Sequence, residues 1–137
     1  MIRKLVMELD AEFGHRDITA EVEDLVEESS LVSGQVTLGL VGSTGGITTI
    51  EYEPGALMDL QEALQRIAPT DGFYHHNARW GDGNGFSHLR SSVIGTDLTV
   101  AVLDGKLQLG TWQQILVLNF DNRPRTREVV VVLIADE

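Results

Sequence analysis

Hydrophobic and polar residues alternate along much of this chain with a period of two, the spacing of a strand with one buried face. Ile2–Leu9 opens with this pattern, and Gln35–Val41 and Ile47–Tyr52 repeat it on either side of a Ser-Thr-Gly-Gly stretch. Leu98–Leu103 and Lys106–Leu109 are separated only by Asp104-Gly105. An Asp-Gly pair between apolar runs predicts a type I′ hairpin turn, in which both central residues take positive φ. Trp112–Phe120 and Glu128–Ile134 complete the set of strands. The unbroken apolar run of the last one predicts burial on both of its faces.

Two segments change period. Within Asp17–Ser30, Ile18, Val22, Leu25 and Val26 recur at helical spacing, with Thr19 as the expected N-cap, Glu21 in the first turn and Gly34 beyond the end. Between Ala56 and Ala68, Leu57, Leu60, Leu64 and Ile67 form one stripe, opened by Pro54-Gly55 and stopped by Pro69. Strands dominate, and the helices do not alternate with them regularly. The fold class is therefore α+β, a largely antiparallel β-sheet sandwich with two main helices. No linker, repeat or low-complexity tract divides the chain, so residues 1–137 read as a single domain.

Composition narrows the partners. The chain is 42% hydrophobic and 23% charged, ordinary for a globular protein. No apolar run approaches the ~18 residues that a membrane span requires. Acidic residues follow MIRKLV where a signal peptide would continue its apolar segment, so no export signal is expected. Cysteine is absent, which removes disulfide and thiol chemistry and leaves a cytoplasmic location as the expectation. A formal net charge of −11 argues against a nucleic-acid partner. The one basic cluster, Asn122 to Arg127, reads as a loop between two strands.

The candidate chemistry concentrates in Gly72–Ser92, which is longer than idle connections in a compact domain usually are. On extended backbone the adjacent His75 and His76 would face opposite ways, so only one could face a given pocket. His76, Asp82 and His88 could hold zinc or a similar divalent ion, or could act as general acid and base. As loop residues they could equally well be exposed. Gly81, Gly83 and Gly85 alternate with Asp82 and Asn84, which suits either backbone amides closing on an anion or a plain double turn. Neither the Walker pattern nor G-x-G-x-x-G is met. Arg90, with Ser91 and Ser92, offers a fixed charge and hydroxyls to a phosphate or carboxylate, or belongs to a short helix with its serines at a cap. Ser43 and Thr44 could present hydroxyls to an oxyanion, or merely join two strands of a hairpin. Trp112 is expected in the core, leaving Gln113 on the opposite face to hydrogen-bond.

Several of these residues occur in a familiar order. Gly81-Asp82-Gly83-Asn84-Gly85, Ser87-His88-Leu89-Arg90-Ser91-Ser92 and Gly95 are followed by Asp104-Gly105-Lys106-Leu107-Gln108-Leu109-Gly110-Thr111-Trp112-Gln113. With Asp17-Ile18-Thr19, Thr48–Pro54 and Tyr74–Asn77, this resembles the YjbQ family over nearly the whole chain. Members of that family are often labelled secondary thiamine-phosphate synthases. The resemblance implies a compact α+β domain assembling as a homotrimer, with a small phosphorylated molecule as ligand. It also implies functional positions at His76, Asp82, His88, Arg90 and Gln113. Anion contacts are expected from Arg90, Ser43, Thr44, Gly83, Asn84 and Gln113, acid–base roles from His76, His88 and Asp82, and any metal on His76 and His88. Two departures stand out. Many relatives carry histidine where this chain has Ser43, and again where it has Phe86. A serine hydroxyl is hardly ionised at neutral pH and is a poor substitute for an imidazole ligand, so Ser43 and Thr44 suit an anion better than a metal.

Overall fold

Among residues 1–136, which the computed structural model describes, the chain forms eight strands and four helices. They follow one another as β1 (Ile2–Leu9), β2 (Gly14–Asp17), α1 (Thr19–Ser29), β3 (Gly34–Val41), β4 (Gly45–Ile50) and α2 (Pro54–Ile67). The second half contains α3 (His75–Trp80), α4 (Gly85–Ile94), β5 (Asp97–Leu103), β6 (Lys106–Leu107), β7 (Gln114–Asn119) and β8 (Arg125–Ala135). Five strands make one antiparallel sheet in the order β1-β8-β3-β5-β6, and three make a second in the order β2-β7-β4. This is the α+β architecture that the alternating pattern predicts.

The sheets pack face to face, with α1 joining the layer of the smaller one. Met7, Val36, Leu38, Val129 and Val131 of the large sheet meet Ile47, Ile115 and Val117 of the small sheet and Ile18, Val22 and Val26 from α1 and its entry. On its other side the small sheet buries Leu116, Leu118 and the following Phe120 against Leu64 of α2, with Leu57, Leu60 and Ile94 beside them. Strand β7 is therefore the one buried on both faces, and its run Ile115–Phe120 is fully apolar up to Asn119. The expectation had assigned that position to Glu128–Ile134. In β8 only alternate residues, Val129, Val131 and Leu133, are buried, while Val130 and Val132 are half-exposed on the outer face of the large sheet.

Local chemistry explains most boundaries. Asp104 and Gly105 take φ values of 53° and 74°, the paired positive angles of the predicted turn. Glu53 caps α2 by accepting from the N–H groups of Gly55 and Ala56 at 2.7 Å each, with Pro54 in the first turn. These bonds hold the Glu53 carboxyl below its ordinary pKa. Thr19, the expected cap of α1, lies inside the helix. Asp17 accepts from the Thr19 N–H at 2.9 Å, while the Thr19 hydroxyl accepts from the Ile115 N–H at 2.8 Å and so ties the helix to β7. Strand β2, Gly-His-Arg-Asp, has no apolar signal of its own and exists because β7 pairs with it.

The larger surprise is the route between the sheets. The Ser43–Gly46 segment is not a hairpin connection, because β3 and β4 belong to different sheets. Three of the chain's changes of sheet are the short connections after β1, β3 and β7, and Gly14 and Gly45 both face Asn119 in the register. These three crossings therefore meet at one corner.

Candidate functional site

Where strands leave a sheet, their backbone groups lose ladder partners and must be satisfied by other means. Asn119 does this at the corner. Its side-chain amide donates to the carbonyls of Asp10 and Arg123 at 2.8 and 3.1 Å, and its Oδ1 accepts from Arg127 Nη2 at 2.6 Å. The same Nη2 donates to Thr44 Oγ1 at 2.6 Å, and that hydroxyl donates onward to Asp121 Oδ2 at 3.1 Å. Arg125 closes the chain with a 2.7 Å ion pair to Asp121. Arg127 is 2% exposed and Asp121 1%, so this is a buried charge network. Burial lowers the Arg127 pKa and the Arg125 charge lowers it further, against the opposing pull of Asp121. For Asp121, burial pushes upward, but hydrogen bonds from the Asn122 N–H and Thr44, with the Arg125 charge, hold the carboxyl below its ordinary range.

The Gly72–Ser92 segment is not a loop. It folds into α3 and α4, joined by a turn in which Gly81 and Gly83 adopt φ values of 72° and 71°. Those left-handed angles let two helices meet across four residues. Helix α4 packs on the small sheet through Ser91, whose hydroxyl donates to the Gly45 carbonyl at 2.6 Å. Asn77 of α3 accepts from the Gly85 N–H at 2.8 Å and so satisfies the start of α4. The turn is pinned to the corner by Asn122, which donates to the Asp82 carbonyl at 2.9 Å.

This packing brings two histidines together. The rings of His76 on α3 and His88 on α4 lie with centroids 4.5 Å apart, tilted by 43°. Asp82 Oδ1 stands 3.4 Å from His76 Nδ1, long for a hydrogen bond but close enough for charge coupling. Asn84 lies between Asp82 and Asp121. With its amide nitrogen turned to Asp82 it donates at 3.0 and 3.1 Å; turned the other way it reaches Asp121 at 3.4 Å. The shorter pair of contacts favours Asp82. One polar chain thus runs from the buried Arg127 through Thr44 to Asp121, and beside it Asn84 donates to Asp82 at the edge of the imidazole pair.

The chain matches the model of the family described as UPF0047 protein YjbQ-like over residues 3–136. It belongs to the YjbQ-like UPF0047 family. A UPF0047 protein of Archaeoglobus fulgidus is 39% identical over 115 residues, covering 84% of this chain and 86% of that protein. The UPF0047 protein YugU of Bacillus subtilis is 37% identical over 81% of this chain and 82% of its own. Among solved structures, a hypothetical protein of Aeropyrum pernix superposes with a TM-score of 0.91 at 26% identity, covering 99% of both chains. An uncharacterized YjbQ/UPF0047 protein of Clostridium acetobutylicum superposes with a TM-score of 0.87 at 30% identity, over 96% of this chain and 99% of its own.

Within this YjbQ-like fold the sequence-derived positions separate into groups. His76, Asp82, Asn84 and His88 converge, with Gly83 in the same turn. Thr44 lies in the adjoining corner, bonded to Asp121 and Arg127, and the exposed Ser43 precedes it. His75 is exposed and stacks edge-on with Phe73. Arg90 is turned away. Two residues along a helix rotate a side chain by about 200°, so Arg90 and His88 occupy opposite faces of α4. Arg90 donates instead to the Ala68 carbonyl at 3.0 Å and to Gln65 at 2.8 Å, over the buried Phe86 ring. Gln113 is remote, donating to Thr49 at the far end of β4. Trp112 beside it is 72% exposed, not part of the core.

As for a metal, no three His, Asp or Glu side chains among the described residues form a group able to hold one. The tilted pair of rings, with Asp82 beside His76, falls short of the three or more side-chain donors that a divalent ion needs. That donor set does not fit a divalent ion. The residues missed from sequence were Asn119, Asp121 and Arg127. A signal existed for Arg127: it lies two residues before Val129 in the β8 alternation and hence on the buried face. No helix among the described residues is long and apolar enough to cross a membrane.

Proposed function

We propose that the His76–His88 pair is an acid–base site for a small phosphorylated molecule. The observation that carries this reading is the 4.5 Å approach of two imidazoles on separate helices with a carboxylate beside one of them. Histidine exchanges protons near neutral pH, and a neighbouring carboxylate can orient one ring while the other meets substrate. The anion would rest against the left-handed turn at Gly83 and Asn84 and the Ser43-Thr44 crossing, where the α4 N-terminus has no side-chain cap. Arg127, buried just beneath that crossing, adds a fixed positive charge; a Cβ on Gly42 would lie 2.9 Å from its Nη1.

The reaction proposed is of the thiamine-phosphate synthase kind that the family resemblance suggests. A thiazole nitrogen forms a bond to the pyrimidine methylene carbon while the bond from that carbon to the diphosphate oxygen breaks, releasing pyrophosphate. His76 or His88 would donate a hydrogen bond or proton to the departing oxygen. The test is formation of thiamine phosphate by purified protein and by its His76→Ala and His88→Ala variants. Turnover lost in both, by about 100-fold or more, supports the assignment; turnover unchanged in both removes it.

A homotrimer is proposed as the assembled state. The outer face of the large sheet carries Ile2, Val6, Val41, Leu103 and Ile134, all more than half exposed in the single chain. Large apolar side chains exposed in this number on one sheet face, interspersed with the Lys4–Glu128 pair and Thr37–Thr99, support an association surface with mixed chemistry. The same assembly could serve as a non-catalytic module that holds a small anion, an alternative supported by the incomplete proton relay: the 3.4 Å gap between His76 and Asp82. Phosphate binding without turnover would select it.

A further inference from the structure

Arg90 was expected beside the histidines, and its actual position calls for another explanation. It is 2% exposed, and two of its three guanidinium nitrogens are committed, Nε to Ala68 and Nη2 to Gln65. Among the described residues Nη1 donates to no protein group, and the side chain lines an open pocket of about 300 Å³ beside α2. Burial lowers the Arg90 pKa, with Tyr74 and Glu12 acting in the opposite direction. A guanidinium held rigidly by its neighbours, with one nitrogen left over, is organised to receive a carboxylate or similar anion.

The walls restrict which anion. Glu12 and Glu62 line the same pocket, so one cation faces two carboxylates. A dianion such as phosphate would meet net repulsion there. A carboxylate that carries its own ammonium group would not, because each charge has an opposite partner. Glu12 is also held in a left-handed conformation, φ 69°, by its N–H bond to the Asp121 carbonyl at 2.7 Å. A non-glycine residue kept at such an angle is costly, and positions of this kind cluster at functional sites.

A second compartment of about 400 Å³ continues from the first, sharing Met58 and Gln61 with it. Its walls are flat and apolar. Phe13 meets His15 edge to face at 5.5 Å, and His15 meets Tyr52 in the same way at 5.9 Å. His15 is held in place by a 2.9 Å bond between its Nδ1 and the Phe13 carbonyl. Aromatic walls of this kind favour a planar ring. Compartments of these sizes lie within the range of small-molecule sites.

We infer that this groove along α2 binds an α-amino acid with an aromatic side chain. The carboxylate lies on Arg90, the ammonium between Glu12 and Glu62, and the ring against Tyr52 and His15. The site is separate from the histidine pair, on the opposite face of α4, and stands or falls independently of the reading above.

Calorimetry and saturation-transfer NMR with L-phenylalanine and L-tryptophan test it. At least one should bind, and phenethylamine, 3-phenylpropionate and glycine, each lacking one of the three recognised groups, should bind about tenfold more weakly or worse. Glu62→Gln and Tyr52→Ala alter exposed side chains and should each weaken the amino acid about tenfold without affecting the fold. Arg90→Lys keeps the charge but loses the planar fork and should weaken it at least as much. Failure of both amino acids to bind at millimolar concentration overturns the inference. So does equal binding of 3-phenylpropionate, or an affinity unchanged by both Glu62→Gln and Tyr52→Ala.

Discussion

Arg127 Nη2 donates to Asn119 Oδ1 at 2.6 Å in the corner where three strands change sheets. Asn119 uses its other end to hold the carbonyls of Asp10 and Arg123. One side-chain pair therefore fixes the crossings after β1 and β7, and Thr44 extends the hold to the crossing after β3. The turn beside the histidine pair rests on this corner through Asn122, which donates to the Asp82 carbonyl.

Replacing Arg127 by Met should destabilise the protein by about 2–4 kcal/mol, because Asn119 Oδ1 loses a buried donor and the Asp121–Arg125 pair loses its neighbour. The urea midpoint measures this. Arg3→Ala, which removes a pair whose side chains are 46% and 52% exposed, should cost no more than about 0.5 kcal/mol.

Asp121 sets a pH dependence. Its folded pKa lies below the ordinary value of 3.8, so the contribution is complete above that value and declines as pH falls through the depressed folded one. Thermal melts from neutral to acid pH should show wild type losing stability on the acid limb. Asp121→Asn should be less stable at neutral pH and flatter across that limb. A parallel acid limb in the variant would remove Asp121 from the account.

Gly85 has no room for a side chain. A Cβ there would lie 2.5 Å from Tyr74 Cβ and 3.0 Å from Asn77 Oδ1. Gly85→Ala should push α3 from α4, costing about 1–3 kcal/mol. It should also separate the His76 and His88 resonances from their wild-type positions in NMR spectra. At Gly81 a Cβ would meet nothing, and only the left-handed angle opposes Ala, at about 1 kcal/mol.

His75 provides the control for the imidazole pair. His75→Ala should leave both stability and any turnover unchanged, since the ring is exposed and meets the equally exposed Phe73. Loss of turnover in this variant equal to that of His76→Ala would contradict the pairing of His76 with His88.

The outer face of the large sheet gives the last test. Val6 and Val41 flank Glu128 in one cross-strand row, and Ile134 lies beside Gln35 in another. Sedimentation should find three times the chain mass for wild type and a single chain for Val6→Lys with Ile134→Lys. A single chain in wild type would refute the trimer.

Local pattern was sufficient wherever burial had one side and one period. The alternation of β1, β3 and β5, the stripe of α2 and the positive angles at Asp104-Gly105 follow from side-chain spacing and turn sterics alone. The histidines and the glycine-rich turn also marked the right neighbourhood. Three things depended on the assembled fold. Gly72–Ser92 has too weak an apolar period to announce two helices, which form because Ser91 and Ile94 dock on the small sheet and Asn77 satisfies the start of α4. Which strands share a sheet is set by long-range pairing, so Ser43–Gly46 resembled a hairpin while it was a crossing. The direction of Arg90 and the burial of Arg127 arise from the same cause. Sequence specifies a charged side chain, but only packing decides whether its partners are solvent, a carbonyl or a buried amide.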